Sequence, residues 1–122
     1  MRPGSQDTCA FHTPAAATQA TASLAAPGAT QRWICTSISA TLACGATAQA
    51  AQVFLNLRNG ATGAGSIIWS KSVVLPANGL WEVNPTDLSL PGAYGAAMTL
   101  EFSGAGAAGT FESVAVTGYL SA

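Results

Sequence analysis

The sequence predicts an all-β fold: an antiparallel β-sandwich, jelly-roll-like, with seven to eight short strands and an extended N-terminal arm. Three observations carry that expectation. Apolar and polar residues alternate with a period of two in segment after segment, as they do in strands with one face on a core. Glycine- and proline-bearing turn signals recur at regular spacing between those segments. The one alanine-rich run with helical composition is short and carries β-branched residues, so little helix is expected. At 122 residues the chain is one domain. Its boundaries are read as an arm over residues 1–14 and a sandwich over residues 15–122.

Residues 1–14 are polar and have no hydrophobic period, and Pro3, Gly4 and Pro14 break them up. Such an arm orders when it docks on a partner or on a neighbouring copy. In residues 15–26, AAATQATASLAA, Thr18, Thr21 and Ser23 are poor helix-interior residues, which favours an edge strand over residues 18–24. Pro27-Gly28 ends it. Residues 32–43, RWICTSISATLA, form the next strand, with Ile34, Ile38, Ala40 and Leu42 facing in and Trp33 facing out.

Residues 52–82 are the stretch around which the chain is organised, and they read as a three-stranded meander. Val53, Leu55 and Leu57 alternate with Phe54, Asn56 and Arg58, and Asn59-Gly60 gives a hairpin turn signal. The next strand sets Ile67, Trp69, Val73 and Leu75 against Ile68, Ser70, Ser72 and Val74. The turn at 76–79 then leads into Leu80-Trp81-Glu82-Val83. Pro85 marks an edge or exit. Leu88-Ser89-Leu90 is a short strand or extended connection, closed by Pro91-Gly92. The chain finishes as a hairpin. Met98, Leu100 and Phe102 face in, with Thr99 and Glu101 opposite. After the turn at 104–109, Val114, Val116 and Leu120 face in, with Phe111 and Tyr119 opposite.

Charge is the outlying property. Only 7% of residues are charged and the formal net charge is −1, against about 25% charged in ordinary soluble domains. Small free monomers usually keep soluble with interspersed charge, so much of this surface is expected to lie against neighbours. The alternative is an uncharged Thr/Ser/Asn/Gly surface. Four cations neutralise few phosphates, which argues against nucleic acid and against an anionic membrane as partners. The N-terminus lacks the basic and apolar regions of a signal peptide, and no apolar run is long enough to span a bilayer. Synthesis in a cytoplasm, with Cys9, Cys35 and Cys44 reduced, is the expectation. Cys35 and Cys44 are placed on opposite faces of one strand region and are not expected to bridge.

No catalytic, cofactor or metal site is expected. Cys9 and His12 supply half of a zinc ligand set, where four ligands are needed. His12 is the sole histidine, lies in the arm, and has no nucleophile elbow to serve. Glu82, Asp87, Glu101 and Glu112 are the carboxylates that could meet in space, and Glu101 and Glu112 could be cross-strand neighbours in the last hairpin. GATGAG and GAGAAG are turn glycines, because no Lys-Ser/Thr and no helix follows them. Trp33, Trp69, Trp81, Phe54, Phe111 and Tyr119 include outward-facing aromatics, which suit a subunit interface or a carbohydrate platform. A slip of one residue in register would instead return them to the core.

Residues 32–122 resemble small β-structured proteins of tailed bacteriophages and prophages. The likeness rests on NLRNGATGAGSIIWSKSVVLPANG, AMTLEFSGAGAAGT and ESVAVTGY, and extends to the AAATQATASLAAPGATQRWICTSISATLA opening. It implies a non-enzymatic virion protein, foremost a capsid decoration or cement protein that bridges neighbouring major capsid subunits, or else a tail-associated component. A homotrimer fits the local three-fold positions of an icosahedral shell. The residues assigned to contacts are Arg2, Phe11, His12, Trp33, Phe54 and Tyr119. The rival readings are a receptor- or carbohydrate-binding module of a tail fibre or adhesin, and an enzyme built on a carboxylate pair.

Overall fold

The computed structural model describes residues 7–49 and 52–122. They form nine strands: β1 (Thr8–His12), β2 (Thr21–Leu24), β3 (Arg32–Ala43), β4 (Val53–Asn59), β5 (Ser66–Val73), β6 (Leu80–Val83), β7 (Leu90–Pro91), β8 (Met98–Phe102) and β9 (Phe111–Ser121). Among the described residues there is no helix. The first sheet runs β1-β9-β3-β6, with the two-residue β7 pairing the start of β3, and the second runs β2-β8-β4-β5. The chain enters the first sheet at β1, crosses at β2, β3 and β4, stays in the second sheet for β5, returns to the first for β6 and β7, and crosses again at β8 and β9, which lie beside β2 and β1. That nested order is the jelly roll, as the sequence predicts. All adjacent strands are antiparallel.

The core is the space between the sheets. Leu55 and Leu57 of β4 and Met98, Leu100 and Phe102 of β8 face Ile38, Ala40 and Leu42 of β3 and Val114 and Val116 of β9, all buried. Trp81 of β6 meets the Phe102 ring edge-on at 6.2 Å, a favoured aromatic geometry.

Two β-bulges account for the inward and outward assignments that strict alternation gets wrong. In β3, Cys35 pairs with Gly118 and Ser37 with Thr117, leaving Thr36 as the extra residue. An extra residue reverses the faces on one side of it. Trp33 and Cys35 therefore join Ile38, Ala40 and Leu42 between the sheets, while Ile34 lies on the other face and is still buried, at 6% exposure; Trp33 is 7% exposed and its indole N–H donates to Ala25 O at 2.8 Å. In β5, Leu57 pairs with Trp69 but Arg58 pairs with Ile67, so Ile68 is the bulged residue. Ile67 is thereby turned outward, 48% exposed, while Ile68 and Trp69 both pack on the core.

Three connections also differ from expectation. β6 pairs with β3, so residues 52–82 are a hairpin followed by a crossing to the other sheet, not a meander. β8 and β9 lie in different sheets, so the C-terminal pair is a crossing and not a hairpin. The β4–β5 turn is made by residues 60–65, with positive φ at Gly63 and Gly65 in place of Asn59 and Gly60. Local turn chemistry resembles itself whether the next strand stays in the sheet or leaves it. The arm also contains more structure than its composition suggests, since residues 8–12 pair with β9 as an edge strand.

The 60–65 turn makes a sharp test of this backbone. A Cβ on Gly65, at φ 78°, would come within 2.2 Å of Asn59 O, whereas one on Gly63, at φ 72°, would meet nothing within 4 Å. Gly63→Ala should cost about 1 kcal/mol for left-handed backbone alone. Gly65→Ala should cost at least about 2 kcal/mol in urea unfolding, because the clash adds to the same conformational term. Equal losses would contradict the close approach.

Candidate functional site

The two sheets treat their outer faces differently. On the second sheet, residues 60–65 fold back over the strands and are pinned by polar groups. Thr99 Oγ1 donates to Gly60 O at 2.7 Å, and Ser23 Oγ lies 2.7 Å from Thr99 Oγ1. Thr21 and Thr62 hydroxyls meet at 2.7 Å. Glu101 accepts from Arg58 Nε and, at 3.1 Å, from Gly63 N, while Arg58 Nη1 donates to Gly65 O at 3.2 Å. Asn56 accepts from Ser70 Oγ at 2.7 Å. Glu101, Thr99 and Asn56 are buried beneath this cover.

Among the described residues, no turn is pinned in this way over the middle of the outer face of the first sheet. Register places its residues in rows. Phe111 of β9, Ala43 of β3 and Leu80 of β6 lie side by side at one end. Ser113, Thr41 and Glu82 form the next row, then Phe11, Ala115 and Ser39, then Cys9, Thr117 and Ser37. Tyr119 and Ile34 follow, and Arg32 closes the far end with its guanidinium 4.9 Å from the Tyr94 ring centre. Phe11 is 76% exposed, Leu80 63% and Phe111 54%. The floor between them is Ser, Thr and Ala. Exposed apolar side chains grouped on a flat, charge-poor face mark an interaction surface.

The inner side of the same sheet holds a different arrangement. His12 and Glu112 both point inward, opposite Val114 and Leu42 respectively. They grip two consecutive amides where the chain enters β2: Ala20 N donates to Glu112 Oε1 at 2.8 Å, and Thr21 N donates to His12 Nδ1 at 3.1 Å. Each satisfies a backbone donor that the short β2 cannot pair within its own sheet. Glu112 is 1% exposed and its Oε2 has no hydrogen-bond partner. Burial pushes its carboxyl up to about 7, against a smaller lowering from the Ala20 amide. Burial likewise pushes the Cys35 thiol up to about 11, partly offset by its contact with Ser37 O, which leaves it a protonated, unreactive core group.

The contact residues predicted from sequence are therefore scattered. Phe11 and Tyr119 share the outer face of the first sheet, the former fully outward and the latter half-buried. Phe54 is exposed on the outer face of the second sheet. Trp33 is a core residue, because the Thr36 bulge turns it in. His12 is half-buried and bound to the Thr21 amide, not a solvated arm residue. Arg2 lies outside the described residues. Leu80 was missed, although its alternation with Trp81 already sets the two on opposite faces.

The other chemical expectations are placed as follows. Glu101 sits on the outer face of the second sheet and Glu112 on the inner face of the first, so they are not cross-strand neighbours. Cys9 is exposed while Cys35 and Cys44 both join the core cluster, and all three are free. Cys35 and Cys44 thus share the inner side, again through the bulge. Among the described residues no three His, Cys, Asp or Glu side chains gather as metal ligands.

No protein-family model matches the chain, and no curated protein matches it. Among solved structures it is similar to a Bacillus endospore appendage of a family of disulfide-linked pili, at 19% identity over 94% of this chain and 85% of that one, with a TM-score of 0.39. It is also similar to a CBM4 carbohydrate-binding module, at 17% identity over 94% of this chain and 78% of that one, with a TM-score of 0.46. Neither brings a residue role to this chain.

Proposed function

We propose that this protein is a non-catalytic structural subunit that works packed among neighbours in an assembled particle, and that the particle is a tailed-phage virion whose head it decorates and cements. The observation that carries the structural role is the outer face of the first sheet, where Phe11, Leu80 and Phe111 stand exposed among the described residues on a floor of Ser, Thr and Ala, with Glu82 on the edge strand. A free monomer would keep such a face broken by charge. The choice of particle is supported by the resemblance of residues 32–122 to phage and prophage proteins. Neighbouring major capsid subunits are the partners in this reading, with the N-terminal segment and the first sheet making the contacts.

The test is addition of the purified chain to undecorated phage heads. Saturable binding, with a rise in the temperature at which the heads release DNA, is the expected result. Leu80→Ser and Phe111→Ser together should weaken that binding at least tenfold, since each removes roughly 1 to 2 kcal/mol of apolar burial. Heads that neither bind the chain nor gain heat resistance would overturn the cement role. Binding on a glycan array that is lost on Phe54→Ala would replace it with the receptor-binding module.

A further inference from the structure

The backbone of β1 faces two ways, and its outer edge is open. In β3, Ile38 N donates to Pro85 O at 3.1 Å, on the side away from β9, so Ile38 and Val116 face each other without ladder bonds between them. The polar backbone groups of Val116 then point to β1, where its partner is Ala10. Alternation gives the ladder bonds of β1 to Thr8, Ala10 and His12, and turns the N–H and C=O of Cys9 and Phe11 out from the edge of the sheet. Among the described residues these four groups have no backbone partner. The other edges are closed or guarded. On β2, Thr21 N is taken by His12 Nδ1 at 3.1 Å. On β5, Lys71 stands opposite buried Leu55 and so points inward, and Ile68 makes a bulge; inward charges and bulges blunt an edge against strand addition. The short β6 carries Glu82. Strand β1, TCAFH, has no charge, proline or bulge.

We propose that β1 pairs edge to edge with β1 of a second copy, antiparallel about a two-fold axis that passes between the two Ala10 residues, so that the first sheets of both copies join into one. The inference rests on the structural-subunit reading and names its partner. The backbone selects the register. Setting Cys9 opposite Phe11 of the second copy engages all the outward groups, in four hydrogen bonds, and keeps outward side chains beside outward ones. A register two residues away in either direction pairs only Cys9 with Cys9, or only Phe11 with Phe11, and makes half as many bonds within the strand.

Side chains and charge agree with that register. Exposed Phe11 lies across from Cys9 of the second copy, and Ala10 meets its counterpart beside the axis, where two methyl groups fit. No like charges are opposed: β1 carries none, and the two Asp7 residues just before it stand about 20 Å apart at a rise of ~3.3 Å per residue. A two-fold contact is isologous and closes at two copies. Because outward side chains stay outward, Phe11, Leu80 and Phe111 of both copies come to lie on one face of the joined sheet.

Sedimentation of the full chain, read as a dimerisation constant, tests the pairing. The wild type should be a dimer. Phe11→Pro removes two of the four bonds between copies but none of the β1–β9 ladder, which Phe11 N does not join. It should keep the circular dichroism of the wild type and pair at least tenfold more weakly than Phe11→Ala, which loses the ring alone. Equal pairing by the two variants would overturn the arrangement. Disulfide trapping tests the register. In a Cys9→Ser chain, Ala10→Cys sets two thiols beside the axis at the ~4.5 Å Cα separation of a pair without ladder bonds, and should oxidise to a covalent dimer. Phe11→Cys in the same chain leaves its thiols on Cα atoms about 8 Å apart and should not. A monomeric or trimeric wild type, or bridging through position 11 in place of position 10, would overturn the proposal. A monomer that still saturates phage heads would overturn the pairing and leave the structural role standing; a dimer that ignores the heads would do the reverse.

Discussion

Glu101→Ala is expected to lower stability by about 3 kcal/mol and to release the 60–65 turn from the second sheet. Glu101 is buried and accepts from Arg58 Nε, from the Gly63 amide at 3.1 Å, and from Gln19 Nε2 at 3.5 Å. Removing it takes the anion from Arg58, whose Nη1 keeps Gly65 O, and the acceptor from the Gly63 amide. Breaking one side of a buried pair costs roughly 3 to 5 kcal/mol. The low end applies because Arg58 is 21% exposed and can rehydrate. Urea unfolding measures the loss, and hydrogen exchange at Gly63 localises it. Glu101→Gln, which keeps an acceptor for Gly63 but leaves Arg58 without its anion, should fall between wild type and alanine. If alanine costs under about 1 kcal/mol, the pair behaves as an ordinary surface salt bridge and does not hold the turn.

How much of this was legible in the sequence follows from what period-two alternation can encode. It located every strand longer than four residues except β1, and it sorted Met98, Leu100 and Phe102 from Thr99 and Glu101 without error, because β8 is unbulged and flanked on both sides. It misplaced Trp33 and Ile67, and set Ile34 on the wrong face although Ile34 is buried, because a single extra residue, Thr36 or Ile68, reverses the parity beyond it. No residue type announces those bulges. Strand β1 escaped because TCAFH has no apolar face of its own: Ala10 and His12 face in, and only pairing with β9 gives them something to cover.

The candidate surface was half visible for a related reason. Phe111 and Phe11 read as outward or unpatterned aromatics, yet what makes them one surface is that β1, β9, β3 and β6 are neighbours. Sheet order is a long-range property, set here by crossings that look like hairpins in sequence. The low charge led to the expectation that some face is covered; the register shows which face is roofed by its own turn and which one carries Phe11, Leu80 and Phe111 exposed among the described residues. The same register separates Glu101 from Glu112. Of the carboxylates considered for chemistry, these two are thereby placed in unrelated surroundings.

Glu112 carries the second large effect, and its sign is opposite to the usual carboxylate. Its pKa is raised from 4.5 to about 7 by burial. Below about pH 4.5 the group is protonated whether the chain is folded or unfolded, and contributes nothing to pH dependence. Between 4.5 and 7 the folded state holds the extra proton, so stability falls as pH rises, and above 7 the loss is complete. A shift of this size corresponds to about 3 kcal/mol. Glu112→Gln keeps an oxygen for the Ala20 amide, which Glu112 Oε1 now accepts at 2.8 Å, and removes the charge. The new amide donor takes the place of Oε2, buried without a partner, and its desolvation offsets part of the gain. The variant should therefore be about 2 kcal/mol more stable than wild type at pH 8, nearly equal to it at pH 4.5, and flat between, in urea unfolding at each pH. A variant less stable than wild type at pH 8 would mean that the ionised carboxylate is a net support for the β1–β2 crossing. The N-terminal segment would then be held by charge as well as by the paired amides, and raising the pH would tighten it.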